Sequence, residues 1–461
     1  MNNYDVVIVG SGPGGYVAAI RSAQLGFKTA VIEKDNLGGV CLNWGCIPTK
    51  SLLKSAEVYH MLKHSDFYGV KADNVAIDFK KIIERSRGVA KTLSDGISYL
   101  LKKNKIDLLV GSATFVNKNL LKVDDKGNIY EVKSKNIIIA TGASAKLLPN
   151  IKINKNIWTY REAMVPSELP KDIAIIGSGA IGMEFASFYN SLGSNVSVIE
   201  IAENILPNED NEISTYAEKE FSELGINFYK QTSVKEIVNK NNKEILKIKK
   251  NNKVTDIKVD KVIVAIGITG NINNLNLETL GIKTKDGHII TDEWSKTNID
   301  NIYAIGDVAG APWLAHKASH EAVICLEKIS GMPNIHPLNK SNIPGCVYTN
   351  PQIASIGLTE KKASEDYKIK VGKFPLMANG KAQAIGSTNG FIKVIYDKIT
   401  GELLGAHMIG DGVTELIHGY AIAKNMEGTE EDIKTTIFPH PTLSESLHEA
   451  VLNAYNISIH F

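Results

Sequence analysis

The chain of 461 residues has a formal net charge of +2, with 43% hydrophobic and 22% charged residues. This composition is ordinary for a globular protein of about three domains, and the balanced charge argues against nucleic acid as the main partner. The sequence has no apolar run long enough to cross a bilayer, and an apolar strand pattern follows the first residues at once. We therefore expect a cytoplasmic enzyme without a leader peptide.

Residues 4–33 predict a strand, a glycine-rich turn, a helix and a second strand. The turn, GSGPGG at residues 10–15, has the glycine spacing of a dinucleotide-binding fingerprint. Its glycines permit a tight turn, close approach of a pyrophosphate and packing of the helix on the sheet, while the helix N-terminus offers N–H groups to phosphate. The predicted cofactor-binding residues of this first fingerprint are Gly10, Gly12, Gly14, Gly15 and the ribose-binding acid Glu33.

Two of the four cysteines follow in the segment GGVCLNWGCIPTK, residues 38–50. A reversible disulfide between Cys41 and Cys46 can exchange two electrons with a bound flavin. A structural disulfide is rare inside cells and a tetrahedral zinc site needs four ligands, so redox use is the favoured interpretation. Cys325 and Cys346 stand alone in an apolar helix and strand pattern and are interpreted as small apolar residues.

The fingerprint pattern repeats at a constant offset in residues 173–200, with the turn GSGAIG and an acid at the end of the second strand. A single glycine-rich turn is weak support, but two copies with matching acids predict two dinucleotides. Because the cysteine pair follows the first fingerprint, we assign FAD to the first and a nicotinamide to the second. The acid repels a 2′-phosphate and no arginine follows it, which favours NAD. The residues of this second fingerprint are Gly177, Gly179, Gly182 and Glu200.

Three later strands are predicted to complete the cofactor sites. Residues 136–143 and 262–267 are apolar strands that end in small-residue turns, and residues 302–307 end in a Gly-Asp pair suited to a ribityl hydroxyl. For the last of these strands, an ordinary strand-end turn is the alternative interpretation. The candidate cofactor-binding residues here are Thr141, Gly142, Gly267, Gly306 and Asp307.

Residues 437–449 predict a turn followed by an amphipathic helix. Thr442 and Glu445 match a capping box, so a purely structural interpretation of this segment stays open. Thiol–disulfide exchange, however, needs a thiolate attacker, and an imidazole oriented by a carboxylate can take its proton. His440 and Glu445 are therefore the candidate catalytic pair.

Two further motifs are LAHKA at residues 314–318 and HPTLSE at residues 440–445. In this order the motifs resemble the pyridine nucleotide-disulfide oxidoreductase family over essentially the whole chain. Within it, the chain is most similar to members that oxidise dihydrolipoyl groups in 2-oxo-acid dehydrogenase complexes and the glycine cleavage system. The resemblance implies an α/β fold with two Rossmann-like domains and a C-terminal α+β interface domain. The implied bounds are 1–145 for FAD, 146–270 for NAD, 271–338 for a central domain that completes the FAD site, and 339–461 for dimerisation.

The resemblance also implies roles for single residues. The cysteine pair passes electrons to FAD and on to NAD, and His440 serves the disulfide of a second subunit, so the active form is a homodimer. Lys50 and Glu184 pair near the flavin, Ala315 binds the cofactor, and residues 316–318 open a helix whose N–H groups face the flavin's pyrimidine end. The other implied partner is a lipoyl-bearing acyltransferase or carrier protein, with no nucleic acid, membrane or metal.

The chain departs from the common family pattern at Val40, Trp44, Phe438 and residues 268–271 (ITGN), where threonine, valine, histidine and an arginine-rich turn are frequent. None of these changes removes a group that the chemistry needs, although nicotinamide affinity stays open. Three alternatives remain: a related flavin disulfide reductase acting on glutathione, mercuric ion or another thiol, a catalytically silent docking subunit, and an oxygen-reducing NADH oxidase. The intact cysteine pair argues against the last two.

Overall fold

The structure, a computed structural model, describes residues 2–461. The chain folds into two units, each assembled from three stretches of sequence. No helix within these described residues is long and apolar enough to cross a membrane. The first unit comprises Met1–Leu52, Lys80–Lys146 and Gly267–Leu338, and the second comprises Leu53–Phe79, Leu147–Ile266 and Asn339–Phe461.

The first unit is built on a mixed sheet with Asn2–Val9 at its centre. Parallel neighbours flank this strand on both sides, and its apolar run is fully buried, as expected for a central parallel strand. From edge to edge the strands are Asp107–Val110, Thr29–Glu33, Asn2–Val9, Asn128–Ile139, Leu120–Asp125 and Ser112–Asn117, with Ile302–Ala304 paired in parallel with the end of Asn128–Ile139.

Alternate side chains of the central strand point into two cores of the first unit. Val6 and Ile8 pack with the helices, whereas Val7 and Val9 pack with the antiparallel strands and residues 275–289. Short strand pairs Ala143–Ala145 with Ile268–Gly270 and Thr284–Lys285 with His288–Ile289 complete the unit. The helices are Pro13–Gln24, Gly39–Trp44, Cys46–Lys63 (which runs on into the second unit), Phe79–Lys103 and Ala315–Ser330, with 3-10 turns at Glu278–Leu280 and Gly306–Ala309.

The second unit repeats the parallel arrangement around Asp172–Ile176. The parallel strands, in order, are Asn227–Tyr229, Asn195–Ile199, Asp172–Ile176, Lys261–Val264 and Ile157–Trp158. An antiparallel sheet of Ser233–Lys240, Lys243–Lys250 and Lys253–Val259 is inserted before the fourth of these. The helices of this part are Tyr160–Ala163, Ala180–Ser191 and Asn211–Glu223.

The C-terminal part of the second unit is an antiparallel sheet with helices packed on it. The strands Phe391–Asp397 and Leu403–Gly410 are buried along their whole length. The order is Gly345–Val347, Gln352–Gly357, Leu403–Gly410, Phe391–Asp397 and Ile369–Pro375. The helices are Glu360–Asp366, Gly380–Ile385, Val413–Asn425, Glu430–Thr435 and Glu445–Ala454, with 3-10 turns at Lys340–Asn342 and Leu376–Ala378, and Ser65–Tyr68 is a further 3-10 turn of this unit.

A buried lysine joins the two parts of the second unit. Lys393, whose side chain is 1% exposed, lies 2.8 Å from Asp210, 3.0 Å from Glu212 and 2.6 Å from Glu360. Asp210 also caps the helix Asn211–Glu223. A buried charge needs partners of this kind, because an uncompensated one is costly.

The predicted fold class is confirmed. Both fingerprints lie in parallel α/β sheets, and an α+β region follows them at the C-terminus. The repeat seen in the sequence is also a structural repeat, since the helices Pro13–Gln24 and Ala180–Ser191 both have 12 residues and begin at the same place in their fingerprints.

Candidate active site

The first fingerprint forms a turn that only glycine fits at two positions. Gly10 has a φ of 103°, and a Cβ there would lie 2.4 Å from the Ala140 carbonyl oxygen. A Cβ on Gly15 would lie 2.0 Å from the Gly10 carbonyl oxygen. The chain packs against itself at both positions, as predicted for the tight turn and the helix–sheet contact.

Gly12 has a different reason to be glycine. Its φ of −61° suits any residue, and across the described part of the chain no atom lies within 4 Å of the place its Cβ would take. The helix Pro13–Gln24 begins directly after it without a side-chain cap. The fold itself therefore does not require glycine here, and the open space beside bare helix N–H groups fits the close approach of a pyrophosphate.

The acid of the first fingerprint is held by the turn. One carboxylate oxygen of Glu33 accepts hydrogen bonds from the Ser11 N–H (2.9 Å) and hydroxyl (2.6 Å), and the other accepts from the N–H groups of Lys34 and Asp35. These four hydrogen bonds fix the orientation of the Glu33 carboxylate. A ribose hydroxyl can donate to it in this fixed orientation.

The second fingerprint reproduces these contacts. A Cβ on Gly177 would lie 2.4 Å from the Ala265 carbonyl oxygen, and one on Gly182 would lie 2.1 Å from that of Gly177, while Gly179 faces open space. Glu200 accepts from the N–H (2.8 Å) and hydroxyl (2.7 Å) of Ser178, as Glu33 does from Ser11. These two serines were not singled out from the sequence, although their identical place in both copies is a signal that could have found them.

The redox segment consists of two helices that meet at Gly45. Cys41 lies within the short helix Gly39–Trp44, and Cys46 is the first residue of the helix Cys46–Lys63. A Cβ on Gly45 would lie 3.1 Å from the Val40 carbonyl oxygen and 3.3 Å from the Cys41 Cα. The absence of a side chain at Gly45 therefore lets the chain fold back far enough to bring the two cysteines together.

The two cysteines interact as thiols in this structure. A hydrogen bond with Cys46, together with burial, raises the pKa of the Cys41 thiol, and the Lys50 ammonium group opposes the shift. A thiol whose pKa is raised is a weak nucleophile, whereas a thiolate at a helix N-terminus is stabilised by the helix dipole. The two cysteines therefore differ: Cys41 holds its proton, whereas Cys46 lies at the helix N-terminus, where a thiolate is stabilised.

The turn at Thr141 and Gly142 is braced by a residue of the unusual ITGN segment. Asn271 donates from Nδ2 to the Thr141 carbonyl (2.9 Å), accepts from the Ser144 hydroxyl (2.7 Å), and its own carbonyl accepts from the Thr141 hydroxyl (2.9 Å). Gly267 lies at the start of the same segment and has a φ of 111°. The departure from the family pattern therefore has a structural role, which the sequence did not reveal.

The Gly-Asp pair after Ile302–Ala304 opens a 3-10 turn that a buried ion pair supports. Lys317 donates to the carbonyl oxygens of Gly306 (3.1 Å) and Gly310 (2.9 Å) and lies 3.0 Å from Glu321, which in turn accepts from the Gly306 N–H. Burial raises the pKa of the Asp307 carboxyl, and the Lys317 charge partly opposes this. The helix Ala315–Ser330 begins one residue before the predicted start.

The C-terminal histidine is paired as predicted. His440 is 78% exposed, and its Nδ1 lies 3.0 Å from a Glu445 oxygen. Although burial acts in the opposite direction, the Thr442 N–H and the His440 ring hold the pKa of Glu445 below its usual value. The capping-box prediction is wrong in one respect: Ser444 precedes the helix Glu445–Ala454, and the Thr442 hydroxyl donates to the Pro439 carbonyl instead.

The candidate residues fall into both units. The first unit contains the predicted FAD residues, the cysteine pair, Lys50 and Gly267, and the second contains the second fingerprint, Glu184 and the His440–Glu445 pair. Glu184 is buried and accepts from the Tyr348 N–H at 3.1 Å. The pairing of Lys50 with Glu184 stays a prediction.

Known proteins match the chain over its length. Residues 4–322 match the family described as pyridine nucleotide-disulphide oxidoreductase, and residues 343–451 match its dimerisation domain. A protein from Zymomonas mobilis named dihydrolipoyl dehydrogenase is 50% identical, with 100% of both chains covered, and one of that name from Rhizobium etli is 50% identical with 98% covered. The copper(II) complex of the HOCl-induced flavoprotein disulfide reductase RclA from Escherichia coli has a TM-score of 0.89 at 28% identity, covering 98% of this chain and 99% of that one.

The matches and the geometry agree. Two dinucleotide turns, a facing pair of thiols and a carboxylate-oriented histidine are the groups that electron transfer between a dithiol and a nicotinamide requires. The matched family spans more than half of the chain and uses FAD and NAD. The chain belongs to the pyridine nucleotide-disulphide oxidoreductase family.

Proposed function

We propose that the chain is a flavin-dependent enzyme that oxidises protein-bound dihydrolipoyl groups to lipoyl groups, with NAD⁺ as the electron acceptor. The observation that carries the proposal is the contact between Cys41 and Cys46 at the start of a long helix, inside the unit that holds the first dinucleotide turn. The substrate assignment is supported by the relatives named dihydrolipoyl dehydrogenase, which align with the chain from end to end.

His440 acts as the base. Because an ionised carboxylate can only accept, the His440 Nδ1–H donates to Glu445, which leaves Nε2 with a lone pair. Nε2 takes the proton of one substrate thiol, and the charged carboxylate stabilises the imidazolium that forms. The side chain is exposed in the chain as described, so it can reach a substrate or the disulfide of a second subunit.

The cysteines exchange bonds in two steps. The substrate thiolate attacks the sulfur of Cys41 in the Cys41–Cys46 disulfide, so that a mixed disulfide forms and Cys46 leaves as a thiolate. The second substrate thiol then attacks the substrate sulfur of the mixed disulfide, which closes the lipoyl disulfide and releases Cys41. The helix N-terminus stabilises the Cys46 thiolate. Bound FAD would supply the two-electron carrier between the Cys46 thiolate and NAD⁺.

The remaining residues bind the cofactors in this proposal. The open face beside Gly12 takes the FAD pyrophosphate and that beside Gly179 takes the pyrophosphate of NAD, while Glu33 and Glu200 take the ribose hydroxyls. Asp307 accepts from the ribityl chain. Gly10, Gly14, Gly15, Lys50, Thr141, Gly142, Gly306 and Ala315 complete the FAD site, and Gly177, Gly182 and Gly267 complete the NAD site. Glu184 pairs with Lys50 near the flavin.

We further propose a homodimer, since residues 343–451 match a dimerisation domain. In that assembly His440 serves the disulfide of the second subunit, and the lipoyl group arrives on a cytoplasmic acyltransferase or carrier protein of a 2-oxo-acid dehydrogenase or glycine cleavage complex. The domain bounds at residues 145, 270 and 338 are part of the same proposal.

The test is NADH formation from NAD⁺ by the FAD-loaded protein supplied with dihydrolipoamide. Rapid turnover that is lost in Cys46→Ser supports the proposal, because a single remaining thiol cannot re-form the disulfide. Cys325→Ser is the matched control, since Cys325 is buried in the core of the same unit and should leave turnover unchanged. A fully flavin-loaded dimer that forms no NADH would contradict the lipoyl assignment.

A further inference from the structure

The helix Phe79–Lys103 is hydrogen-bonded to the redox segment, residues 38–50, at three places: just before it, within it and just after it. Its Ser94 hydroxyl donates to the Leu37 carbonyl at 2.8 Å, before the first cysteine. Its Arg85 Nη1 donates to the carbonyl (2.9 Å) and hydroxyl (2.8 Å) of Ser51, after the second. Its Arg87 Nη1 donates to the Asn43 carbonyl at 2.7 Å, between the two cysteines.

Arg87 also stacks on Trp44, the residue next to Gly45. The guanidinium carbon lies 4.8 Å from the centroid of the Trp44 ring. Burial lowers the pKa of Arg87, and its Nε and Nη2 atoms are buried without a hydrogen-bond partner among residues 2–461. Such a desolvated cation is costly unless something compensates it, and the negative face of an indole ring is a compensating group.

Trp44 supplies the aromatic ring that compensates Arg87. An aliphatic side chain at this position has no π face and cannot compensate a buried guanidinium group. The arginine on one helix and the tryptophan between the cysteines are therefore matched to each other in this chain. The match lies beside the one place, Gly45, where the backbone must fold back tightly for the sulfurs to meet.

We propose that Arg87 and Trp44 are positioning residues for the redox disulfide. By holding the Asn43 carbonyl and the Trp44 ring together, Arg87 restricts the motion of the residues that separate the two sulfurs. This raises the effective concentration of each thiol for the other and so favours the disulfide over the dithiol. The inference rests on the redox use of Cys41 and Cys46 that is proposed above.

The role differs from that of a simple positive charge. Lysine keeps the charge and one hydrogen bond, but it lacks the flat group that stacks on an indole and the fixed fork that places Nη1 on a carbonyl. A positioning role therefore predicts that Arg87→Lys is impaired, whereas a purely electrostatic role predicts that it is not. Arg85 offers a matched control on the same helix, because it holds Ser51 rather than the residues between the cysteines.

The experiment measures the dithiol–disulfide equilibrium of the FAD-loaded protein against a dithiothreitol couple, without NAD and without oxygen. Two protons and two electrons pass from the protein dithiol to oxidised dithiothreitol, one S–S bond forms in the protein, and one breaks in the reagent. Alkylation with iodoacetamide and mass spectrometry count the thiols at each ratio. Wild-type protein that never forms the disulfide would contradict the proposed function itself, independently of any variant.

Given a wild-type equilibrium, Arg87→Met should lower the constant for disulfide formation about tenfold, because the freed segment lowers the effective concentration of one thiol for the other. Arg87→Lys should also lower this constant, whereas Arg85→Met should keep it within about twofold of wild type. Adding Trp44→Val to Arg87→Met should change the constant little further, because the two residues act through one contact. Three outcomes would overturn the inference: a wild-type constant for disulfide formation in Arg87→Met, a wild-type constant in Arg87→Lys, or a constant in Arg85→Met as low as that in Arg87→Met.

Discussion

The two fingerprints have the same turn but differ in what their helices meet. In the first, the helix Pro13–Gln24 buries small residues, and a Cβ on Gly14 would lie 3.4 Å from the Cβ of Ala318. In the second, the helix Ala180–Ser191 buries bulky rings, including Phe185 and Phe188. The first surface accepts another helix at close range, whereas the second is filled by its own side chains.

Because of this difference, the first fingerprint has neighbours that the second lacks. The close approach at Gly14 brings in the helix Ala315–Ser330, whose N-terminus and Gly306–Asp307 turn then lie in the same unit as the cysteine pair. In the second fingerprint, Tyr189 donates to the Ala163 carbonyl at 2.6 Å, and Glu184 accepts from Tyr348. The helix Ala180–Ser191 therefore uses these side chains for contacts within its own unit.

The largest predicted effect concerns the second unit alone. Lys393→Met removes the partner of the buried Asp210, so we expect a loss of about 3–5 kcal/mol in the free energy of unfolding of that unit. Thermal unfolding, followed together with flavin release, checks whether the first unit is spared. Lys373→Met is the control, since that lysine contacts Glu212 at an exposed position. Equal loss in both variants would contradict the buried-pair explanation.

The Lys393–Asp210 pair also predicts how the stability of the second unit depends on pH. Although burial raises it, the contact with Lys393 and the Glu360 N–H hold the pKa of Asp210 below its usual value. A lowered pKa in the folded state means that the stabilisation is present above the unfolded value of about 3.9 and is lost as the pH falls through the folded value. Acid unfolding of the second unit should thus be less steep in Lys393→Met, as urea unfolding at several pH values would show.

A smaller effect is expected when the shared packing glycines are changed. Gly15→Ala and Gly182→Ala each place a Cβ too close to a carbonyl oxygen, at 2.0 Å and 2.1 Å respectively. Each should lower the free energy of unfolding by about 1–3 kcal/mol. The first should release FAD and the second should weaken NAD binding, as absorbance after gel filtration and NAD titration would show. If either change affected both cofactors equally, the two fingerprints would not act separately.

The open glycines should affect binding without affecting folding. Gly12→Ala and Gly179→Ala add a methyl group into space that is free of described protein atoms, so the unfolding temperature of the flavin-free protein should stay the same. Affinity for the respective dinucleotide should fall about tenfold or more, because one methyl group blocks the backbone from the pyrophosphate. Loss of stability in the flavin-free variants would show that these glycines serve the fold instead.

The smallest effect is expected at the acids. Glu200→Gln keeps an acceptor for the Ser178 hydroxyl but removes the charge that repels a 2′-phosphate. The ratio of NADP to NAD use should rise about fivefold, corresponding to roughly 1 kcal/mol between like charges near water. Steady-state kinetics with both nucleotides measures it, and Glu33→Gln is the matched control that should leave the ratio unchanged.

Local patterns predicted most of the site. The glycines at 10, 15, 177 and 182 follow from turn geometry, and the redox interpretation of Cys41 and Cys46 follows from their spacing and position in the chain. The pairing of His440 with Glu445 and the hydrogen bond from the Thr442 N–H to Glu445 were predicted, but Thr442 does not cap the helix, which begins at Glu445. The spacing of Thr442 and Glu445 cannot distinguish a capping box from the observed arrangement, since both place a carboxylate near the same backbone N–H groups.

The sequence by itself determined the two fingerprints and the α/β class and indicated the candidate residues for the chemistry, because the patterns behind these predictions lie in short stretches of the chain. Only the tertiary structure decided which distant residues support them. Asn271 braces Thr141, Lys317 holds the Gly306 turn and Arg87 stacks on Trp44. These contacts lie outside the motifs that the sequence shows, and two of them, Asn271 with Thr141 and Arg87 with Trp44, join segments far apart in the chain. The burial that makes such contacts necessary exists only once the chain has folded.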